Sequence, residues 1–280
     1  MTKRWQIAVC SWSLQVKSVP ELERLLKELQ ISVTHLALGD PHHASWVEDD
    51  PTFIRAVQQA SFTCSAAMLA FPGEDYTTPD TIKRTGGFAD PALRPARLEL
   101  VKWGAQKAKA LGLTIMSVHA GFLPEKGDPT RKGFLDCLGQ AVEIAAAEGV
   151  VLAFETGQEE AALLRATLDD LKHPNAKVNF DPANMLLYNK GNPIEAVRIL
   201  GKDIVHVHAK DAKVPLKPGT WGEEVPLGQG QVGMEAFLRV LDEVGYHGTL
   251  AIEREVGTQK ERIRDVKRGI EVLTNLMAKF

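Results

Sequence analysis

The chain contains 280 residues, of which 44% are hydrophobic and 25% charged, and its formal net charge at pH 7 is −3. This composition is typical of a folded soluble protein and excludes disordered and collagen-like chains. The slight acidic excess argues against a protein whose main task is to bind nucleic-acid backbones. At this length one large hydrophobic core is feasible, and α/β barrels of more than about 200 residues commonly form a single domain.

Three scattered cysteines, Cys10, Cys64 and Cys137, show no disulfide-framework or zinc-finger spacing. We therefore expect reduced, buried thiols. The basic N-terminal segment, residues 1–5, lacks the apolar core of a signal peptide, and no apolar run approaches the ~20 residues of a membrane span. The sequence therefore predicts a cytoplasmic protein that does not enter a membrane.

Short apolar or β-branched runs alternate with longer segments of helical periodicity along the whole chain. Strands are predicted at residues 6–12, 33–38, 62–70, 114–120, 151–156, 177–183, 204–211 and 249–255. Helices are predicted at residues 19–29, 51–60, 91–111, 131–148, 160–171, 193–200, 234–244 and 260–277. No low-complexity tract or flexible linker divides the sequence, so we expect one domain over residues 1–280.

Eight strand–helix units with short connections predict a parallel sheet that closes into a (β/α)8 barrel. An open, doubly wound sheet is the alternative. No Gly-x-Gly-x-x-Gly follows the first strand, where a dinucleotide-binding fold would need it. The connections at residues 71–90 and 212–233 are too long for simple turns. Both follow a strand, so we expect them to line a site at the carboxyl face, with surface insertions as the alternative.

Acidic side chains and a histidine end four consecutive predicted strands, the fifth to the eighth. The residues are Glu155, Asp181, His208 and Glu253. Side chains alternate across a strand, and the neighbours of opposite parity, such as Phe154, are bulky and suited to packing against helices. We therefore expect the four polar side chains to point into the mouth of the barrel.

Three carboxylates and an imidazole at one rim would repel one another, and burying them unpaired is costly. A divalent cation between them removes this problem. The donor set predicts one metal ion, with Mn²⁺ favoured and Mg²⁺ or Co²⁺ as alternatives. Taken singly, each of these residues could instead be a strand cap or an ion-pair partner.

These residues and their neighbours resemble the xylose isomerase-like TIM barrels, the sugar phosphate isomerase/epimerase group. The resemblance extends over nearly the whole chain and is carried by residues 154–159, 179–184, 206–211 and 251–255. In that family a Glu, Asp, His and Glu from the fifth to eighth strands hold one divalent metal. The resemblance therefore implies Glu155, Asp181, His208 and Glu253 as the metal ligands.

The resemblance is specific for the superfamily but weakly specific for the substrate. Ketose 3-epimerases of the group usually carry a histidine where Asn184 stands, a second glutamate at the position of Ala161 and an arginine at that of Val214. These departures weaken the expectation of a free ketohexose and leave the metal chemistry unaffected. No clear phosphate-binding motif appears, although Lys213, Lys217 and the loop at residues 228–230 lie where barrel enzymes often bind phosphate.

Two metal-bound glutamates on opposite sides of a sugar can exchange a proton at carbon through a metal-stabilised enediolate. Reprotonation on the opposite face gives epimerisation, and proton transfer to the neighbouring carbon gives isomerisation. We assign these catalytic roles to Glu155 and Glu253. Five further residues are predicted to contact the substrate: His119, Lys210, Asn184, Trp12 and Trp221.

Other histidines receive no catalytic role. His206 shares the parity of His208 and is expected to be a hydrogen-bonded histidine of the barrel interior, whereas His35 appears incidental in the sequence.

Three other functions were weighed against a sugar isomerase or epimerase. The same metal and base could act as a lyase that dehydrates a keto-cyclitol or 3-keto-sugar, like an inosose dehydratase. A DNA-repair endonuclease with this barrel would need more histidines and a basic face, and a non-catalytic sugar-binding barrel would hold no metal. We expect a small sugar as the partner and no nucleic acid or membrane, and the resemblance implies a dimer or tetramer.

Overall fold

The computed structural model describes residues 4–42 and 45–280. Residues 1–3, which begin the N-terminal segment discussed above, and residues 43–44 lie outside this description. The strands are β1 Gln6–Cys10, β2 Val33–Ala37, β3 Thr63–Met68, β4 Ile115–Val118, β5 Val151–Glu155, β6 Ala176–Phe180, β7 Ile204–Ala209, β8 Asp211–Lys213, β9 Glu223–Val225 and β10 Thr249–Ile252.

Eight of these strands form one closed parallel barrel. Their order is β1-β10-β7-β6-β5-β4-β3-β2, and β2 pairs back onto β1. The remaining two, β8 and β9, form an antiparallel hairpin in the long connection after β7. The predicted (β/α)8 barrel is therefore confirmed, and the open sheet is excluded because no barrel strand is left at an edge.

Ten α-helices surround the barrel in the described part of the chain. They are α1 Val19–Glu28, α2 Asp50–Gln59, α3 Pro79–Thr85, α4 Arg94–Ala110, α5 Arg131–Ala147, α6 Ala161–Leu171, α7 Pro182–Leu187, α8 Pro193–Leu200, α9 Met234–Glu243 and α10 Gln259–Met277. Ser18 caps α1 by accepting from the Glu21 amide, and Thr258 with Glu261 forms a capping box before α10. None of these helices has both the length and the hydropathy needed to cross a bilayer.

The strands bury two different faces. Leu152, Phe154, Phe180 and Ile252 belong to the large core between barrel and helices. Ala8, Cys10, Val33 and Ala251 form a small separate cluster, against which Trp12 packs. This division confirms the predicted alternation along the strands, with bulky side chains facing the helices and small ones facing inward.

Several predicted boundaries are wrong where a strand passes directly into a helix. The first strand ends at Cys10 and a 3-10 helix, Ser11–Leu14, follows it. The sixth strand ends at Phe180, because Pro182 has no amide hydrogen for a strand ladder and instead opens α7. The long connection at residues 71–90 contains α3. The cysteines are free as expected, but Cys64 is only half-buried, since it lies near the start of β3.

Candidate functional site

The carboxyl ends of β5, β6, β7 and β10 bring four side chains together: Glu155, Asp181, His208 and Glu253. One ligand atom from each lies within 4.8 Å of the others, and all four residues are buried. Nδ1 of His208 is 3.3 Å from Glu155 Oε1 and 3.4 Å from both Asp181 Oδ2 and Glu253 Oε2. The imidazole nitrogen therefore lies almost equally far from three carboxylates that come from three strands.

Local structure explains how two of these carboxylates are aimed. Oδ1 of Asp181 caps α7 by accepting from the amides of Ala183 and Asn184 at 2.8 and 2.9 Å, which leaves Oδ2 facing His208. Glu155, the last residue of β5, accepts a hydrogen bond at Oε1 from the side-chain amide of Asn184, whose Nδ2 is 3.0 Å away. Helix α7 thus orients both carboxylates.

Two buried atoms of this cluster have no hydrogen-bond partner, Asp181 Oδ2 and His208 Nδ1, and Glu253 Oε2 has an ion pair with Lys210 as its contact. A buried polar atom without a partner costs about 1–3 kcal/mol, and such atoms are rare in native proteins. The three atoms face one another. Three carboxylates and one imidazole therefore fit a divalent cation, which would satisfy these atoms together.

Lys210 lies inside the same layer of carboxylates. Its Nζ is 2.9 Å from Glu253 Oε2, 2.6 Å from Glu255 Oε2 and 3.3 Å from Asn184 Oδ1. Burial alone would lower the pKa of Lys210, but Glu253 and Glu255 raise it well above its usual value. The ammonium group is therefore charged and already paired with protein carboxylates.

Neighbouring cations oppose the effect of burial on the two glutamates. Burial would raise the pKa of Glu155, but His119 and His208 bring it below its ordinary value. For Glu253, Lys210 and His208 outweigh burial and lower the pKa well below its ordinary value. Both carboxylates are therefore ionised near neutral pH and able to accept a proton.

His119 follows β4 and lies beside Glu155. Its Nε2 is 3.7 Å from Glu155 Oε2, while its buried Nδ1 has no hydrogen-bond partner. Tyr76, from the connection after β3, lies against it with ring centroids 6.2 Å apart. The structure thus places His119 at the cluster with one ring nitrogen unused.

The two predicted tryptophans occupy different positions. Trp12, in the 3-10 helix after β1, donates from Nε1 to Glu253 Oε1 at 2.6 Å. Trp221 packs edge-on against Tyr188, with centroids 4.7 Å apart, and its buried Nε1 has no partner. Tyr188 follows α7 and its hydroxyl lies 3.4 Å from Gln158 Nε2. Trp12 therefore contacts the carboxylate cluster, and Trp221 lies beside Tyr188, which follows α7.

The barrel interior below the cluster is more polar than the sequence analysis indicated. His206 is hydrogen-bonded as expected, at 2.9 Å from both Asn179 Oδ1 and Ser65 Oγ. The description of His35 as incidental is wrong: it is fully buried, and its Nδ1 is 3.0 Å from His208 Nε2. Its parity on β2, opposite to the buried apolar Leu36, was the signal that could have identified it.

Residues 17–276 match the xylose isomerase-like TIM barrel family. The chain belongs to this family. A solved member, the xylose isomerase domain protein from Planctomyces limnophilus, is 32% identical with a TM-score of 0.87, and the alignment covers 100% of this chain and 99% of that chain. The resemblance inferred from the strand-end motifs is thereby confirmed.

Curated relatives are more distant. L-ribulose-5-phosphate 3-epimerase UlaE of Shigella flexneri is 28% identical over 199 residues, or 69% of this chain and 68% of UlaE. An uncharacterized protein of Methanocaldococcus jannaschii is 27% identical over 195 residues, 65% of this chain but only 62% of its own length. The IOLI protein, crystallised with a bound zinc atom, shares the fold at 17% identity and a TM-score of 0.74, with 98% of this chain and 99% of that chain covered.

Proposed function

We propose that the protein is a divalent-metal-dependent epimerase or isomerase of an uncharged keto-sugar. The observation that carries this proposal is the convergence of Glu155, Asp181, His208 and Glu253 within 4.8 Å, with Asp181 Oδ2 and His208 Nδ1 left without a partner. The relationship to UlaE, an epimerase, supports the reaction class. The zinc atom bound to the distant IOLI barrel is consistent with a metal in this fold.

Those four residues would hold the cation, which when bound supplies positive charge against negative charge that develops on substrate oxygens. Glu155 and Glu253 come from β5 and β10, which β6 and β7 separate in the barrel order. Each can therefore approach a different face of one substrate. A carboxylate oxygen of one removes the proton from the carbon beside the carbonyl. The other glutamate takes a proton from solvent water and delivers it to the opposite face of that carbon, while the first releases its proton to solvent.

Neighbouring residues keep the two glutamates in place and offer bonds to the sugar. The Asn184 amide orients Glu155, and the Trp12 indole orients Glu253. His119 Nδ1 and Trp221 Nε1 are buried without a partner, and a sugar hydroxyl that reached them would supply the missing hydrogen bond. This arrangement supports His119 and Trp221 as substrate-binding residues.

The charges at the site favour a substrate without a phosphate group. The ammonium group of Lys210 is already paired with Glu253 and Glu255. The amides of Gly228 and Gly230, in the loop considered for phosphate, both donate to Asp211 Oδ2 at 3.0 and 2.9 Å. A carboxylate of the protein thus already takes the two amides that this loop would offer to a phosphate.

Three further features belong to the same proposal. Mn²⁺ is the proposed cation, because it accepts a mixed set of carboxylate and imidazole ligands. A cytoplasmic location is supported by three free cysteines, and residues 1–280 are proposed as one domain.

The test compares Glu155→Gln and Glu253→Gln with the wild-type protein on free ketoses and on a ketose 5-phosphate, in D2O with Mn²⁺. Each variant should lose turnover by about three orders of magnitude or more, because an amide cannot accept the proton. The wild-type product should carry deuterium at the reacting carbon. Glu99→Gln, an exposed acid on α4, is the matched control and should retain full activity.

Near-normal turnover by either glutamine variant would show that the assigned proton transfer is wrong. A higher kcat/KM for the phosphorylated ketose would refute the uncharged substrate.

A metal-dependent lyase is the second candidate, and Lys210 is the observation that favours it. Its ammonium group contacts Glu253 and can donate a proton to a departing hydroxyl, which an epimerase does not need. On a keto-cyclitol or 3-keto-sugar this reaction would release water. An enone absorbance and a product lighter by one water would identify the lyase, whereas a product of unchanged mass identifies the epimerase.

A further inference from the structure

We infer that His35 is a positioning residue that fixes the tautomer and orientation of His208 for cation binding. The inference rests on the metal site proposed above. His35 lies on β2 and His208 lies on β7. In the barrel these two strands are separated by β1 and β10.

A chain of buried hydrogen bonds crosses the barrel interior beneath the carboxylates. Nε2 of His208 is 3.0 Å from His35 Nδ1, and Nε2 of His35 is 3.1 Å from Ser117 Oγ. Ser117 Oγ lies 3.2 Å from the Ala67 carbonyl oxygen, which can only accept. His35, His208 and Ser117 are all fully buried, so bulk water does not compete for these bonds.

The position of His208 fixes which of its nitrogens must carry hydrogen. Its Nδ1 faces Glu155, Asp181 and Glu253, so a cation among these carboxylates would take the Nδ1 lone pair. A neutral imidazole that coordinates through one nitrogen carries its hydrogen on the other. Nε2 of His208 must therefore be an N–H group, and in this buried position it needs an acceptor.

His35 supplies that acceptor. The amide nitrogen of Asn179 also lies 3.2 Å from Nε2 of His208, but it carries hydrogen and cannot accept from an N–H group. It donates instead to Glu155 Oε2, and Asn179 Oδ1 is bonded to His206. Cys10 also lies near, within 4.8 Å, but a thiol sulfur is a weak acceptor. Among the described residues, Nδ1 of His35 is therefore the strong acceptor that lies within hydrogen-bond distance of His208 Nε2.

The rest of the chain follows from this direction. With a bare Nδ1, His35 carries its hydrogen on Nε2 and donates to Ser117 Oγ, and the Ser117 hydroxyl donates to the Ala67 carbonyl. The N–H groups of His208 and His35 and the hydroxyl of Ser117 then each face an acceptor, from the cation site to the backbone of β3, and the Asn179 amide donates to Glu155 Oε2. Metal-bound histidines usually donate to a carboxylate, a carbonyl or a water. Here the acceptor for His208 is the imidazole of His35. This acceptor is neutral, so it adds no negative charge beside the three carboxylates.

The test measures the dissociation constant of Mn²⁺ by calorimetry, without any sugar. His35→Leu removes the acceptor and should weaken Mn²⁺ binding about 10- to 100-fold, the range typical of lost partners of metal-bound histidines. His35→Asn places an amide oxygen near the former Nδ1 and should bind within a few-fold of wild type. Cys10→Ala, an alteration at the same depth of the barrel, is the control and should also bind within a few-fold.

Equal affinity of wild type and His35→Leu would overturn the inference while leaving the proposed metal site intact. Loss of Mn²⁺ binding by the wild-type protein itself would overturn both. A third outcome is also informative: the wild-type protein binds Mn²⁺, and this binding depends on His35, but no sugar is turned over. That outcome would overturn only the proposed reaction.

A second measurement covers the case in which His35→Leu does not fold. In wild-type protein loaded with diamagnetic Zn²⁺, ¹⁵N NMR of the ring nitrogens should show hydrogen on Nε2 of both His208 and His35. Hydrogen on Nδ1 of His35 would refute the inferred direction of the chain.

Discussion

Trp12 shows how a single side chain links the start of the chain to the cluster near its end. Its indole donates to Glu253 Oε1 at 2.6 Å across 241 positions of sequence. A hydrogen bond to a charged group contributes about 1.5–3 kcal/mol, enough to hold one carboxylate rotamer. The sequence suggested stacking against a sugar, and that role stays a prediction. The structure adds a contact to the glutamate that we propose as a catalytic group.

We expect Trp12→Phe to lower kcat about 10- to 100-fold, because the ring is kept while the bond that orients Glu253 is lost. Trp103→Phe is the matched control. Trp103 lies on α4 and its indole donates to Asp50 of α2 at 2.7 Å, a hydrogen bond of similar length. Kinetics and thermal unfolding of both variants check this prediction. A comparable drop in kcat for Trp103→Phe would indicate a general loss of stability instead.

Individual site residues could be predicted from the sequence where a polar residue type and an inward-facing position on a strand coincided. Four polar residues at successive strand ends could be selected because each follows an apolar strand and faces inward. His35 could not be selected in the same way, because its partner His208 is 173 positions away and β2 is not among the strands that supply the cluster.

Helix α7 was not predicted from the sequence, although it positions two carboxylates of the site. It begins immediately after β6, at Pro182, with Asp181 as its cap. The apolar run of the strand continues into the helix, so periodicity alone could not separate them. The helix matters because its first turn takes one oxygen of Asp181 and leaves the other for the cluster.

Asp203 joins three elements at the opposite, amino-terminal face of the barrel. It precedes β7, lies 2.7 Å from Lys177 of β6, and pairs closely with Arg165 of α6. Burial alone would raise the pKa of Asp203, but these two cations hold it below its ordinary value of 3.8. Because the folded state lowers this pKa, the stabilisation is complete above about pH 4 and disappears as the pH falls through the folded value.

We therefore expect Asp203→Asn to lower the free energy of unfolding by about 1–2 kcal/mol at pH 7, with the deficit shrinking below pH 4. Urea unfolding at several pH values measures it. Asp169→Asn removes a second partner of Arg165 that is 58% exposed and should cost less than about 0.5 kcal/mol. A deficit for Asp203→Asn that stays constant from pH 7 to pH 3 would contradict this electrostatic account.

For the whole molecule, the cation and the barrel should stabilise each other. The proposed ligands come from β5, β6, β7 and β10, so a bound ion connects four neighbouring strands that an unfolded chain cannot bring together. A ligand at about 100 times its Kd adds about 2.7 kcal/mol to the stability of the state that binds it. We expect Mn²⁺ to raise Tm by several degrees and EDTA to reverse the increase.

Asp181→Asn is the variant that separates the ion from the fold. Asparagine remains a good helix cap, so the bonds to Ala183 and Asn184 are kept while one anionic ligand is lost. The variant should have a near-normal Tm in EDTA and little or no rise with Mn²⁺, as differential scanning fluorimetry would show. A full Mn²⁺-dependent rise in this variant would place the ion elsewhere.

Hydrophobic periodicity and residue order were enough to predict the alternation of strands and helices, the number of units and the inward parity of Glu155, Asp181, His208 and Glu253. These are local properties, since hydrophobic periodicity and strand geometry act over a few residues. The contacts of His35, Trp12, Lys210 and Asp211 could not be predicted in this way, because each depends on atoms that lie on different strands or loops. Closure of the barrel turns the local pattern into a site, and the distances across its interior are set by the packing of all eight strands together.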